Sequence, residues 1–245
     1  MNTLNRKFTY GFEIEGVFDI NLVRKLREYK KGKLQIAEKG DGSVNYCSLQ
    51  TRARNKGVAV SPSAAELNVG VFRSFWEMYH ILEMFKPNEN YFSDSSCGLH
   101  IHIGTTTEVP LQDLIHYERI KRLQAMFSNN EVLSARLLNR YCKKYNPRRF
   151  AEEWRWGVKY RFVKNHQSGT LEFRIYSPKL LESKDGMSFL YKSVREITKI
   201  LVEPIVIKKV SNITIDDEVE INEEFDTRSE RSEIVKNFNC VEYPF

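Results

Sequence analysis

The sequence predicts an α+β fold, and three observations carry that expectation. Three segments alternate apolar and polar residues with the period of two that belongs to a β-strand: FTYGFEIEGVF (8–18), CGLHIHIG (97–104) and TLEFRIYS (170–177). Between and after them run stretches whose apolar residues recur at helical spacing. VKYRFV (158–163) and TLEFRIYS flank the short polar KNHQSG, which predicts a hairpin.

In chain order, Phe8, Tyr10, Phe12 and Ile14 take one face of the first strand, and Gly11, Glu13 and Glu15 take the other. INLVRKLREYKK (20–31) predicts a short amphipathic helix. EKGDGSVNYCSL (38–49) holds an Asp-Gly turn between strand-forming flanks, and residues 50–63 are polar and irregular. Residues 64–71 predict a strand carrying Glu66, which runs into a helix over 72–85. In CGLHIHIG, Leu99, Ile101 and Ile103 face a core while His100 and His102 share the polar side of a half-buried strand. Helices follow over 110–127, where Pro110 suits an opening turn, and over 131–141. The hairpin comes next, then an amphipathic helix over 187–202. Beyond it the character changes: 205–210 suits an added strand, and IDDEVEINEEFD (215–226) is strongly acidic. The expected organisation is one domain over 1–204 and an acidic C-terminal extension over 205–245, packed on the domain or mobile.

With 245 residues, 41% of them apolar, the chain can bury a large core. A net charge of +6 is modest. Lys143-Lys144 and Arg148-Arg149 read as solvated surface, and no run of Lys and Arg interleaved with aromatics marks a nucleic-acid partner. Four cysteines without a CxxC pair suit free thiols in a reducing compartment. The apolar stretch after Arg6 and Lys7 is broken at Glu13 and Glu15, unlike a secretory signal, and no apolar run approaches the roughly 20 residues that span a bilayer. A soluble cytoplasmic protein is expected, with no membrane partner and an oligomeric state that the sequence leaves open.

The three strands share one chemistry. Glu13 and Glu15, His100 and His102, and Glu172 and Arg174 stand on their polar faces, where ordinary solvent faces carry Thr, Lys, Ser and Gln. Successive same-face side chains lie about 7 Å apart along a strand, so neighbouring strands would gather these six groups on one sheet face. Carboxylates and imidazoles suit Mg²⁺ or Mn²⁺, and clustered carboxylates need a cation to offset their repulsion. Arg174 among them points to an anionic group such as phosphate.

GFEIEG, DGS, CGLHIHIG and LEFR, in that order over residues 8–200, resemble the motif series of the amidoligase family. That family lies within the carboxylate–amine ligase superfamily of glutamine synthetase and glutamate–cysteine ligase. The resemblance implies a curved, mainly antiparallel sheet with helices on its convex face, like a glutamine synthetase catalytic domain, and a site on the concave face. It implies divalent ions, Mg²⁺ or Mn²⁺, bridging the phosphates of ATP. Glu13, His100 and Glu172 match the ligands of one ion, and Glu15 matches a ligand of another to which Glu66 contributes. Glu66 departs from the family pattern, because it stands in AAELNVG and not directly before a Ser-Pro. Asp41 and Ser43 match the DGS motif near substrate or metal. His102 resembles a nucleotide-phosphate contact, Arg174 a contact to phosphate or to a substrate carboxylate, Arg161 a further phosphate contact, and Asn165 an asparagine near this family position. His166 reads as a turn residue.

The chain has no glycine-rich phosphate loop, which agrees with nucleotide held through metals and arginines. Cys97 reads as a small buried residue, and a Cys97–His100–His102 zinc site lacks a partner cysteine. The expected function is an ATP- and Mg²⁺-dependent ligase joining small-molecule or peptide carboxylates to amines through an acyl phosphate. The alternatives are a metal-dependent hydrolase or nuclease, and a degenerate member that keeps the fold without catalysis.

Overall fold

Apolar side chains at alternate positions build one continuous face across six strands. The computed structural model describes residues 8–29, 34–42, 44–62, 65–105, 117–138, 142–155, 161–166 and 169–203. In chain order the elements are β1 (Phe8–Glu15), β2 (Val17–Phe18), α1 (Ile20–Glu28), β3 (Gln35–Lys39), α2 (Tyr46–Asn55), β4 (Glu66–Phe72), α3 (Phe75–Leu82), β5 (Tyr91–Phe92), β6 (Leu99–Thr105), α4 (Tyr117–Ser128), α5 (Glu131–Leu137), α6 (Phe150–Arg155), β7 (Val163–Asn165), β8 (Leu171–Tyr176) and α7 (Lys184–Val202). Six strands form one sheet in the order β3-β4-β1-β6-β8-β7, with every neighbouring pair antiparallel. The class is therefore α+β with a mainly antiparallel sheet. The strands' apolar positions, including Phe12, Leu67, Ile101 and Phe173, enter one core with Leu26 of α1, Met78 and Ile81 of α3, Leu123 of α4 and Leu190 and Val194 of α7. No helix among the described residues is long and apolar enough to cross a membrane.

Two bulges break the period of two. Tyr10 pairs with Phe72 while Gly11 pairs with Gly70, so Val71 is extra; it is exposed, and Phe72 is turned into the core against Phe12. Leu99 pairs with Tyr176 and Ile101 with Phe173, so Arg174 and Ile175 together face His100. Ile175 and Tyr176 are consequently both buried, and the aim of Arg174 is set by the bulge.

The structure departs from the sequence reading at several elements. The first segment is not one strand. Gly16 takes φ +151°, a region open to glycine, where a Cβ would sit 2.5 Å from the carbonyl oxygen of Phe92. The chain turns there, and β2 pairs with β5 in a separate two-stranded sheet. Strand-forming flanks were expected after the Asp-Gly turn, yet residues 46–55 are helix α2. Leu49 and Ala53, four apart, bury themselves in a second small core with Val17, Ala65, Phe92 and Cys97. The polar residues between them mask that stripe in the sequence. Helix α3 begins at Phe75, because the Ser74 side chain accepts from the Glu77 N–H and the strand before it runs to Phe72. In the hairpin, β7 occupies Val163–Asn165, partly inside the expected turn. The start of the helix expected from 110, the end of that expected to 141, the first half of the strand expected over 158–163, and the whole extension after 203 lie outside the described residues.

Candidate metal and anion site

The polar positions of β1, β4, β6, β7 and β8 share the face opposite the main core. Cross-strand pairing sets their neighbours: Glu13 stands opposite His100 and Asn68, Glu15 opposite Glu66, and Glu172 opposite His102 and Lys164. The strand carrying the histidines was expected to be half exposed. It is buried on both faces: Glu13, Glu15, His100, His102 and Glu172 are each less than a tenth exposed. Such burial of charge is tolerable only because opposite charges and hydrogen-bond partners meet there.

His100 is at the centre. Its Nδ1 lies 3.2 Å from Glu13 Oε2 and 3.5 Å from Glu172 Oε1, and its Nε2 lies 3.7 Å from Glu15 Oε1. His102 places Nε2 3.4 Å from Glu13 Oε1, and its Nδ1 is 2.9 Å from the Thr170 hydroxyl. Asn68 donates to Glu13 Oε1 at 3.2 Å, and the Gly98 N–H donates to Glu15 Oε2 at 2.5 Å. A Cβ on Gly98 would come within 2.6 Å of His100 Nε2, so only glycine allows this close approach.

Two groups of donors result. Glu13, His102 and Glu172 can each offer one ligand atom, all within 4.8 Å of one another, and Glu15, Asp41 and Glu66 form a second such group. The resemblance implies His100 in the first set. The geometry brings His102 into that group and leaves His100 touching the carboxylates of Glu13, Glu15 and Glu172. Carboxylate oxygens with one imidazole, and carboxylate oxygens alone, are donor sets that fit hard divalent cations.

The electrostatics divide the face into two halves. At the β4 side, burial first, and then the charges of Glu13, Glu15 and Asp41, push the Glu66 carboxyl up to about 7, with Lys39 at 3.9 Å opposing the shift. Burial also raises Glu15. In this half Lys39 and His100 only partly offset the burial and the negative charge. Toward β8 the balance reverses. Burial works to raise Glu13 and Glu172, yet the neighbouring histidines outweigh it and hold both carboxyls below their ordinary range. Lys164 Nζ lies 2.8 Å from Glu172 Oε2, and Arg174 donates to Glu172 Oε1. His166 stacks edge-on against His102 with ring centres 4.9 Å apart, and burial, followed by His102, pushes its pKa down to about 4.

Not every expected residue reaches the site. The guanidinium of Arg161 is engaged by the Glu153 carboxylate and the Lys144 carbonyl, and lies over the Tyr145 ring. Asn165 pairs with Leu171, which places it on the apolar side of the hairpin, away from the carboxylates. Ser43 lies outside the described residues. Lys164, Asn68, Thr170 and Gly98 escaped the sequence reading, and His166, read there as a turn residue, belongs to this face. The signal for Lys164 and His166 was present as alternation, Val163 and Asn165 inward against Lys164 and His166 outward, but the polar run KNHQSG disguised it as a turn. No protein-family model, curated protein or solved structure matches the chain.

Proposed function

We propose that the chain is an ATP- and Mg²⁺-dependent carboxylate–amine ligase with a glutamine synthetase-like catalytic fold. The observation that carries this reading is the pairing, at one partly to fully buried site, of two donor groups that suit divalent cations with a cationic flank that suits oxyanions. The resemblance of GFEIEG, CGLHIHIG and LEFR to the amidoligase motifs supports the same conclusion.

A free carboxylate acylates amines poorly because its leaving group would be oxide. In the proposed reaction a carboxylate oxygen of the acid attacks the terminal phosphorus of ATP, and ADP leaves. The amine then attacks the acyl carbon, phosphate leaves, and the amide nitrogen loses a proton. A divalent cation, when bound, neutralises charge on the phosphoryl oxygens. The protein's own part is positioning and charge. Glu13, His102 and Glu172, and separately Glu15, Asp41 and Glu66, would hold the cations. Arg174 offers a planar fork to oxygens of the transferred group. Burial of the face keeps water away and strengthens each of these interactions.

The test is to incubate the protein with MgATP, hydroxylamine and a panel of acids including glutamate, aspartate and short acidic peptides. A ligase releases ADP and phosphate in step with hydroxamate formation. Cleavage of a phosphodiester or peptide with metal but no nucleotide, together with no hydroxamate from any acid, would establish a hydrolase instead.

A further inference from the structure

Glu172 is clamped from both sides. Its carboxylate is almost fully buried, with Lys164 of β7 on Oε2 and Arg174 of β8 on Oε1, while both cations keep a partly exposed side chain. The same carboxylate belongs to the donor group with Glu13 and His102. It therefore has two competing sets of partners. Drawn toward a cation between Glu13 and His102, it would leave two largely buried positive groups without that counter-charge, and such groups favour an anion. We propose that Lys164 and Arg174 form an oxyanion subsite that Glu172 fills as an internal stand-in, and that cation binding at Glu13, His102 and Glu172 opens it. Loading is then ordered, with cation first and oxyanion second. The guest is a phosphoryl or carboxylate group, since Lys164 and Arg174 already grip one carboxylate, each by a different oxygen.

This inference rests on the cation reading of the donor group, and its test uses no nucleotide and no turnover. Sulfate and acetate serve as probes at constant ionic strength, and the melting midpoint across each titration gives the apparent affinity. For the wild type, Mg²⁺ should tighten sulfate on the order of tenfold or more. Glu172→Gln should bind sulfate that tightly without metal, and adding Lys164→Met should abolish the gain. Glu203→Gln, which frees Arg122 on the surface, removes the same charge and should give no gain. Sulfate binding better than acetate marks a phosphoryl guest; the reverse marks a carboxylate. The single variant Lys164→Met, which leaves Glu172 in place, should lose the Mg²⁺-induced tightening. No gain in Glu172→Gln, or an equal gain in Glu203→Gln, overturns the subsite. Sulfate gain in a protein that never turns over ATP overturns the ligase and keeps the subsite, whereas ATP-dependent hydroxamate formation without sulfate gain does the opposite.

Discussion

Glu66 offers a test in which sign and size both follow from the structure. Its carboxyl is raised from 4.5 to about 7 by burial and by the charges of Glu13, Glu15 and Asp41. A raised folded pKa means that the folded state holds the proton more tightly than the unfolded chain. The stabilisation is thus complete below about pH 4.5 and is lost as pH rises through 7. A difference of this size corresponds to about 3 kcal/mol, and the Glu66 side chain is only 13% exposed, so solvent screening removes little of it. Glu66→Gln carries no such charge. Without metal, its stability relative to wild type should therefore rise by about 3 kcal/mol between pH 4.5 and pH 8, seen as about 6–12 °C in melting midpoint for a chain of this length. Glu15, raised in the same direction by burial, is present in both proteins, so the difference isolates Glu66. Mg²⁺ at pH 8 should stabilise wild type more than the variant. Melting curves collected from pH 4.5 to pH 8 that stay parallel for the two proteins would refute the crowding of carboxylates at this end of the site.

Glu13→Gln should move stability the other way, losing about 1–3 kcal/mol at pH 7 in urea unfolding, because two buried imidazoles each lose one ionised partner; a stabilised variant contradicts this. Arg174→Lys should leave ATP-dependent hydroxamate formation reduced about a hundredfold or more, since a single ammonium cannot reproduce the guanidinium fork; near wild-type rates would reduce Arg174 to a generic charge. Gly16→Ala should cost about 1–3 kcal/mol from its φ of +151° alone, with the Phe92 carbonyl contact adding to it, and unchanged urea stability would show the turn to be permissive.

Alternation made most of the sheet legible. Phe12 and Ile14, Leu99 and Ile101, and Leu171 and Phe173 announce the apolar face, and the residues between them announce the other. What alternation cannot encode is which strands are neighbours. The placing of Glu13 between Asn68 and His100 comes from the sheet order, a tertiary fact. Bulges hide for a related reason: one inserted residue at Val71 or beside Arg174 changes which side chains face the site without any change in composition. Helix α2 was hidden because its buried stripe is only Leu49 and Ala53, and the core that receives it comes from Val17, Ala65 and Phe92, distant in sequence.

Clustered carboxylates repel one another, and by that argument alone removing Glu13 or Glu172 would relieve the site. The structure separates two cases. Glu13 and Glu172 sit among His100, His102, Lys164 and Arg174, and are held ionised. Glu15 and Glu66 sit beside Asp41, with Lys39 at the edge, and are pushed toward protonation. A face that served only to be soluble would have no reason to bury charge at all, since water solvates it at no cost. A purely structural ion-pair network would balance its charges locally. This face does neither, because surplus negative charge at the β4 end stands next to paired cations at the β8 end. Under the proposed function, a ligand that completes both ends carries positive charge toward Glu66 and negative charge toward Lys164 and Arg174, as ATP held through divalent cations would.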